Sequence, residues 1–204
     1  MRGFHVGKGY RPKDHFFHKA KDQGFRARSA FKLEEIVQRF RLFRAGAAVL
    51  DLGAAPGGFL QVIAGAVGPK GRVLGVDIVA IRSTGLPHVK TSILDVLAED
   101  FFAQLQALDP GPYDSVISDM APKTTGVRAT DEARSLALAR RALETAARLG
   151  RDGSSFVAKV FMGGEFEDFR EEIRALYGEA KVVRPEATRG ASVEVYLVGL
   201  GRKS

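Results

Sequence analysis

The sequence predicts one α/β domain built on a seven-stranded, mostly parallel sheet that ends in an antiparallel hairpin, with helices on both faces. Three observations support this prediction. Apolar runs alternate with helical patterns, which is typical of a parallel sheet covered on both sides. The segment Ala47–Phe59 passes from an apolar run through a glycine loop into an amphipathic stretch, as nucleotide-binding units begin. The last two apolar runs have no helical pattern between them, so they should pair antiparallel.

Apolar spacing and turn residues define the elements in chain order. The first predicted helix has Ser29 as its N-cap, because Ala30, Leu33, Val37 and Phe40 then share one face. The predicted helices are Ser29–Phe40, Gly58–Val67, Val96–Leu108, Thr130–Leu149 and Phe166–Tyr177. The predicted strands are Ala47–Leu52, Val73–Ile78, Val89–Leu94, Tyr113–Ser118, Ser155–Phe161, Lys181–Arg184 and Val193–Leu200.

Composition limits the possible chemistry. The 204 residues include no cysteine, which excludes disulfides, thiolate metal sites and a thiol nucleophile. The four histidines, His5, His15, His18 and His88, lack ligand spacing, so we expect no metal. The chain shows neither an export signal nor a long apolar run, and we expect a soluble, cytoplasmic protein with no membrane association. We also expect a monomer.

Positive charge is concentrated at the N-terminus. Residues 1–44 contain 12 Lys+Arg and 4 Asp+Glu, whereas the other 160 residues contain 19 and 20. We therefore divide the chain into a basic arm, residues 1–28, and a domain, residues 29–204. Aromatic residues lie among the arm's basic residues, which favours a nucleic-acid backbone as partner, and a solvated tail is the alternative.

The glycine loop predicts a ligand site at the first strand–helix junction. Gly53 and Gly57 allow positive φ and a close approach of a ligand to the backbone. The spacing differs from the dinucleotide pattern G-x-G-x-x-G, and Pro56 stiffens the loop. We therefore expect a nucleoside without phosphates, with a purely structural glycine turn as the alternative.

Acidic residues end several of the predicted strands. Asp77 lies 20 residues beyond Gly57, where a carboxylate can accept hydrogen bonds from both ribose hydroxyls of an adenosine. Asp95 ends the third strand, and it either accepts from an adenine amino group or caps the helix that follows. Asp119 ends the fourth strand, at the edge where open α/β sheets bind ligands.

Charged residues also interrupt apolar segments. Lys159 stands within the apolar strand SSFVAKVF, which is costly unless the amine is paired or functional. An ion pair with Asp119 on the adjacent strand is the structural explanation, and it is compatible with catalysis. Glu194 interrupts the last strand, and Lys32 lies on the first helix. Two neighbouring ammonium groups disfavour double charging, so one lysine could act as a base.

The motifs FRARSAFKLEEI, DLGAAPGGF, SDMAP, FVAKVF and EVYLV together resemble those of the FtsJ/RrmJ-type ribosomal RNA 2′-O-methyltransferases. The resemblance runs from about Phe16 to Lys203. It implies a Rossmann-like methyltransferase domain with S-adenosylmethionine (SAM) as cofactor. It also implies a catalytic tetrad of Lys32, Asp119, Lys159 and Glu194, with Lys159 as general base. The cofactor contacts that it implies are Gly53, Gly57, Phe59, Asp77, Asp95 and Asp119.

The implied reaction is methylation of a uridine ribose in the large-subunit ribosomal RNA, within the assembled subunit. Phe59 replaces a tryptophan common in bacterial members, which keeps an apolar contact and removes an indole N–H. The alternatives are 2′-O-methylation of a transfer RNA or a messenger RNA cap, base methylation, a small-molecule methyltransferase, an NAD-dependent oxidoreductase, and a catalytically silent RNA-binding module. The absence of cysteine argues against pyrimidine C5 chemistry, and the loop spacing argues against NAD.

Overall fold

The computed structural model describes residues 12–188 and 192–204, so the first 11 residues of the predicted arm lie outside the described part. Six helices are present there. They are α1 (Pro12–Asp22), α2 (Ala30–Phe40), α3 (Gly58–Val67), α4 (Phe101–Leu108), α5 (Arg128–Leu149) and α6 (Phe166–Leu176). None of these helices combines the length and the apolar character that crossing a membrane would need.

The described residues also form seven strands in one sheet. They are β1 (Ala48–Leu52), β2 (Arg72–Asp77), β3 (Val89–Ile93), β4 (Tyr113–Ser118), β5 (Gly150–Phe161), β6 (Tyr177–Val183) and β7 (Glu194–Arg202). Their order is β3-β2-β1-β4-β5-β7-β6. The first five strands are parallel, and β7 runs antiparallel to both β5 and β6. The predicted fold class, including its terminal hairpin, is confirmed.

The strand order places a crevice at the middle of the sheet. From β1 the chain proceeds outward to β2 and β3, and it then returns to β4 on the other side of β1. In open α/β sheets a ligand binds where the strand order reverses, outside the carboxyl ends of the strands. The loops after β1, β2, β3 and β4 all meet at this edge, because those strands run parallel.

Apolar side chains pack on both faces of the sheet, because successive residues of a strand point to opposite sides. On one face of the sheet, helices α2 and α3 cover strand residues that include Val49, Val73, Ile117 and Val157. We call this surface the α2–α3 face. On the opposite surface α4, α5 and α6 cover Leu50, Leu74, Val116 and Leu197. Tyr196, from the antiparallel end, belongs to the α2–α3 face and is fully buried.

Three element starts differ from the sequence prediction by four residues or more. Helix α4 begins at Phe101 rather than at Val96, since the Asp95 carboxylate accepts a hydrogen bond from the Leu97 N–H (2.9 Å) and thereby stabilises a turn. Strand β6 begins at Tyr177 rather than at Lys181, because Tyr177 pairs with Arg202 of β7 and its ring is buried. Strand β5 begins at Gly150 rather than at Ser155, because Gly150 pairs with Tyr113 of β4. The two strand differences arise from pairing between distant segments, whereas the Asp95 turn is a local contact.

The N-terminal segment packs on the domain through aromatic side chains. Phe16 and Phe25 surround Phe31 of α2, with ring centroids 5.8 Å and 5.4 Å from it. Ala20 of α1 and Ala187, in the link between β6 and β7, complete this small cluster. Ser29 occupies the N-cap position of α2, as predicted, but its side chain makes no capping hydrogen bond. Phe31 and Lys32 are buried because this cluster and β7 cover them.

The packing of β2 against α3 gives a stability prediction. A Cβ added at Gly75 would lie 2.8 Å and 2.9 Å from the two methyl carbons of Leu60, so Gly75→Ala should lower the free energy of unfolding by about 1–3 kcal/mol. Gly65→Ala is the matched control, because Gly65 lies in α3 with open space around it and should gain up to about 1 kcal/mol. Urea denaturation measures both. Equal effects of the two substitutions would contradict the packing described here.

Candidate active site

A cavity of about 480 Å³ opens at the crevice predicted by the topology. The loops after four parallel strands supply its polar groups. Its walls combine three carboxylates with apolar side chains, an arrangement that suits a small ligand with one polar and one apolar end. The lining residues include Gly53, Asp77, Ile78, Asp95, Leu97, Asp119, Met120 and Leu138.

The glycine loop adopts the conformations that its sequence predicts. Gly53 has φ +79°, and a Cβ there would lie 2.6 Å from Cγ of Met120, so only glycine fits between β1 and the loop after β4. Gly57 has φ +105° and precedes α3, where a Cβ would lie 2.7 Å from a guanidinium nitrogen of Arg26. Gly53 lines the cavity, whereas the space above Gly57 is filled by Arg26.

Arg26 is a basic residue of the predicted arm with an unexpected set of partners. Its guanidinium donates to the backbone carbonyls of Arg82 and Ser83, the latter at 2.5 Å. Its backbone N–H donates to the side-chain oxygen of Gln61 on α3 (2.8 Å). Arg26 therefore ties the arm to α3 and to the loop that follows β2.

Asp77 holds the glycine loop against the end of β2. Its Oδ2 accepts a hydrogen bond from the Ala55 N–H (2.9 Å), and its Oδ1 accepts one from the Val79 N–H (3.1 Å). Each carboxylate oxygen has further acceptor capacity, and the side chain lines the cavity, so ribose hydroxyls can still be bound there.

Asp95 and Phe59 occupy different environments. Asp95 is exposed on the cavity wall beside Leu97. Because α4 begins six residues later, Asp95 does not cap that helix.

Phe59 is only 3% exposed and packs on the α2–α3 face with its ring centroid 6.5 Å from that of Tyr196. It is not among the residues that line the cavity, so its contact with a cofactor stays a prediction.

Lys159 and Asp119 meet at the edge of this cavity. Lys159 lies on β5 and is 8% exposed, and its Nζ donates to Oδ1 of Asp119 (2.9 Å) and to the Asp119 backbone carbonyl. Asp119 follows β4, and its backbone N–H donates to the carbonyl of Leu52 at the end of β1 (3.2 Å). The adjacent parallel strands thus bring the amine and the carboxylate together, as the sequence predicted.

Lys32 and Glu194 form a second ion pair beside the first. Lys32 comes from α2, and its buried Nζ donates to Oε1 of Glu194, the first residue of β7. Strand β7 pairs with β5 so that Tyr196 stands directly opposite Lys159 and Glu194 opposite Phe161. Glu194, Tyr196 and Lys159 therefore share the α2–α3 face, on which Lys32 also lies.

Tyr196 connects the two pairs and was not identified from the sequence. Its hydroxyl donates to Oδ1 of Asp119 (2.6 Å), the oxygen that also accepts from Lys159. The Lys32 ammonium lies 5.9 Å from the centroid of the Tyr196 ring. The only signal in the sequence was its position two residues after Glu194, which places both side chains on one face.

Burial and neighbouring charge act on the titratable groups. Burial acts to raise the pKa of Glu194, but the hydrogen bond and charge of Lys32, with the charges of Lys159 and Arg28, hold it below its ordinary value. Burial, followed by the charge of Asp119, raises the pKa of Tyr196 well above its ordinary value. The tyrosine is therefore a neutral donor, and Glu194 is ionised.

Within residues 12–188 and 192–204, no group of three or more metal-ligating side chains is placed to bind a metal ion.

The chain is similar to known proteins over most of its length. The model of the family described as FtsJ-like methyltransferase matches residues 25–202. A Myxococcus xanthus protein named ribosomal RNA large subunit methyltransferase E is 69% identical over 199 residues, covering 98% of this chain and 93% of that protein. A Bdellovibrio bacteriovorus protein of the same name is 44% identical, covering 95% and 99%.

A solved structure resembles the fold at lower identity. It is a Plasmodium falciparum protein described as a ribosomal RNA methyltransferase, with a TM-score of 0.76 and 19% identity over 87% of this chain and 98% of that one. At that identity the likeness supports the fold alone. Together with the family match over most of the chain, it leads to one conclusion: the chain belongs to the FtsJ-like methyltransferase family, as its motifs predicted.

Proposed function

We propose that the protein transfers a methyl group from SAM to the 2′-hydroxyl of a ribose in large-subunit ribosomal RNA, with a uridine as target. The observation that carries this proposal is the cluster of two ion pairs, Lys159–Asp119 and Lys32–Glu194, in which Asp119 lines the cavity. The names of the relatives support the substrate class. A ribosomal substrate also favours the cytoplasm as the site of action.

The cavity has carboxylates and apolar side chains that suit the polar and apolar parts of SAM. Asp77 can accept from the ribose hydroxyls of the adenosine, and Asp95 can accept from the adenine amino group. Ile78 and Leu97, which are 64% and 58% exposed, provide apolar surface for the adenine ring. Gly53 leaves the backbone open for close approach. When bound, SAM supplies an electrophilic methyl group on a positively charged sulfur.

In this proposal Lys159 accepts the proton of the 2′-hydroxyl as the new C–O bond forms. A ribose hydroxyl is a weak nucleophile at neutral pH, so removal of its proton during the reaction contributes about 10²–10⁴-fold in rate. Asp119 fixes the position of the Lys159 amine through two of its oxygens.

The second ion pair would hold the ribose. Lys32 can donate to, and Glu194 can accept from, the hydroxyls of the target nucleotide, because both side chains lie beside Lys159 on one face. Since the sulfonium is already activated, alignment of donor and acceptor is the main task that remains for the protein. The four residues therefore divide into one base, one positioning carboxylate and two groups that orient the substrate.

The reaction itself is tested by locating the methyl group. Large ribosomal subunits from a strain that lacks the gene are incubated with the purified protein and isotope-labelled SAM, and the RNA is digested to nucleosides. We expect the label on the 2′-oxygen of one uridine. Label on a base, or label found only in transfer RNA, would refute this substrate assignment.

The basic arm provides a test of RNA binding. Lys19 and Lys21 are exposed on α1, whereas the Arg26 guanidinium is engaged by backbone carbonyls and is left unchanged. Reversing both lysines to Glu should weaken RNA binding and lower the slope of log Kd against log salt by roughly 2, because each lysine neutralises about one phosphate. The matched control reverses Lys70 and Lys90, which are exposed near β2 and β3.

Filter binding at several salt concentrations measures this slope. The control variant has the same net charge, so any difference between the two variants reports position rather than total charge. Identical slopes for the arm variant and the wild type would show that α1 does not contact RNA.

A further inference from the structure

Asp51 is a buried acidic residue that the proposed mechanism does not use. It lies on β1, is 0% exposed, and is separated from the cavity residue Gly53 by a single residue. Neither of its carboxyl oxygens has a hydrogen-bond partner in the described part of the chain. A buried carboxylate without a partner is strongly disfavoured, so this position needs a physical explanation.

The charges that act on Asp51 come from the ends of the two neighbouring strands. Asp51 pairs with Gly75 on β2 and with Ile117 on β4, and it shares the α2–α3 face with Val49. The acids at the ends of those two strands, Asp77 and Asp119, are close enough to act on its charge. The Asp51 charge also acts on the Tyr196 hydroxyl of β7. Lys159 of β5 and Lys32 of α2 are cations of the same α2–α3 face. The residues of α3 carry no charge.

Lys159 and Lys32, on the same face of the sheet, are each paired with another acid. Lys159 donates to Asp119, and Lys32 donates to Glu194. Burial first, and then the charges of Asp119 and Asp77, hold the pKa of Asp51 well above its ordinary value. The carboxyl is therefore neutral at a pH where an exposed aspartate would be ionised.

The proposed reaction changes the charge of the molecule in the cavity. SAM carries a positive sulfur, whereas its demethylated product, S-adenosylhomocysteine (SAH), has an uncharged thioether. A positive charge near a buried carboxyl favours its ionised form, and the loss of that charge favours its protonated form. Asp51, two residues before Gly53 in the cavity wall, is an unpaired buried acid that can respond to this difference.

We propose that Asp51 distinguishes the methyl donor from the spent product: its carboxyl is protonated before the donor binds, releases the proton when SAM binds, and takes one up again after methyl transfer. This inference rests on the proposed use of SAM. The charges balance, because the proton leaves to solvent as the cationic donor enters. The proton of the 2′-hydroxyl follows a separate route, to Lys159. The expected benefit is weaker retention of the product relative to the donor.

Isothermal titration calorimetry tests the proposal directly. Titrations at one pH in several buffers of different ionisation enthalpy give the number of protons released per ligand bound. We expect up to about one proton released on binding SAM and none on binding SAH. By linkage, the ratio of SAM affinity to SAH affinity should rise with pH by up to about tenfold per pH unit while the free carboxyl remains protonated.

Asp51→Asn and Asp114→Asn form the matched variant pair. The amide in Asp51→Asn has nearly the same shape as a protonated carboxyl and is neutral at every pH, so this variant should bind SAM without releasing a proton. Asp114 lies at the opposite end of β4, paired with Arg44 (3.1 Å), and its variant should retain the wild-type proton release. Release that persists in Asp51→Asn would place its source in another group and overturn the proposal.

Infrared difference spectroscopy keeps the test independent of variant folding. With ¹³C-labelled aspartate in the wild-type protein, the protonated-carboxyl band should disappear when SAM binds and remain when SAH binds. The absence of this band before SAM is added would refute the proposal. Failure of the protein to bind SAM at all would instead refute the proposed function, on which this inference depends.

Discussion

Replacing Lys159 with Met should reduce the single-turnover rate of methyl transfer by about 10²–10⁴-fold, the usual contribution of a general base, while SAM still binds. The substitution removes the amine and keeps most of the aliphatic side chain, which is buried on β5. Asp77, Asp95 and Gly53 are unaffected, so the predicted cofactor contacts survive. The loss should therefore fall on kcat and not on the Kd for SAM.

The control for this variant is Lys181→Met, which removes an exposed amine from β6 and should leave the rate unchanged. Rapid-quench measurement of labelled RNA gives the rate, and calorimetry gives the Kd. A Lys159→Met rate within about threefold of the wild type would remove Lys159 from the role of base.

Replacing Asp119 with Asn should impair both methyl transfer and SAM binding. The Asp119 carboxylate lines the cavity, and its Oδ1 accepts from both Lys159 and Tyr196. Loss of one charge-assisted hydrogen bond costs about 1.5–3 kcal/mol, or roughly 10- to 100-fold in Kd for SAM. The displaced Lys159 amine should lower the rate by a further factor within about 10²–10⁴.

Tyr196→Phe is the matched control for Asp119→Asn, because it removes one donor to Asp119 and preserves the Lys159–Asp119 pair. We expect it to change the Kd for SAM and the rate by less than about tenfold, in line with the loss of one hydrogen bond. If Tyr196→Phe and Asp119→Asn had equal effects, the charge on Asp119 would not be what positions the lysine.

Much of the site could be predicted because it follows parallel strands whose boundaries are visible in the sequence. Asp77 and Asp119 end apolar runs, so the topology alone brings them to one edge of the sheet. Lys159 interrupts an apolar strand, which predicts either pairing or function, and it is paired with Asp119. The catalytic roles of these residues stay predictions until variants are measured.

Other features depend on contacts between distant segments, which local patterns do not contain. Tyr196 resembles an ordinary core residue of β7 until its hydroxyl is placed beside Asp119. Arg26 looks like a basic residue of a phosphate-binding arm, yet it bonds to carbonyls of residues 56 and 57 positions later. The late start of α4 has a local cause instead, because the Asp95 turn competes with the helical pattern of residues 96–100.

The raised pKa of Asp51 likewise could not be predicted from the sequence. In the sequence it is one acid in the motif DLGAAPGGF, and nothing there indicates that it lacks a partner. Its protonation depends on complete burial and on two carboxylates contributed by other strands. Only the assembled sheet brings these three acids close enough to interact.

A crystal structure of the protein with SAH bound would test the central claim most directly. We predict that the adenosine occupies the cavity between Asp77 and Asp95 and that the sulfur faces the Lys159 amine. The Lys159–Asp119 and Lys32–Glu194 ion pairs should remain intact. A product bound in another cavity, or a sulfur separated from Lys159 by the Tyr196 ring, would contradict it.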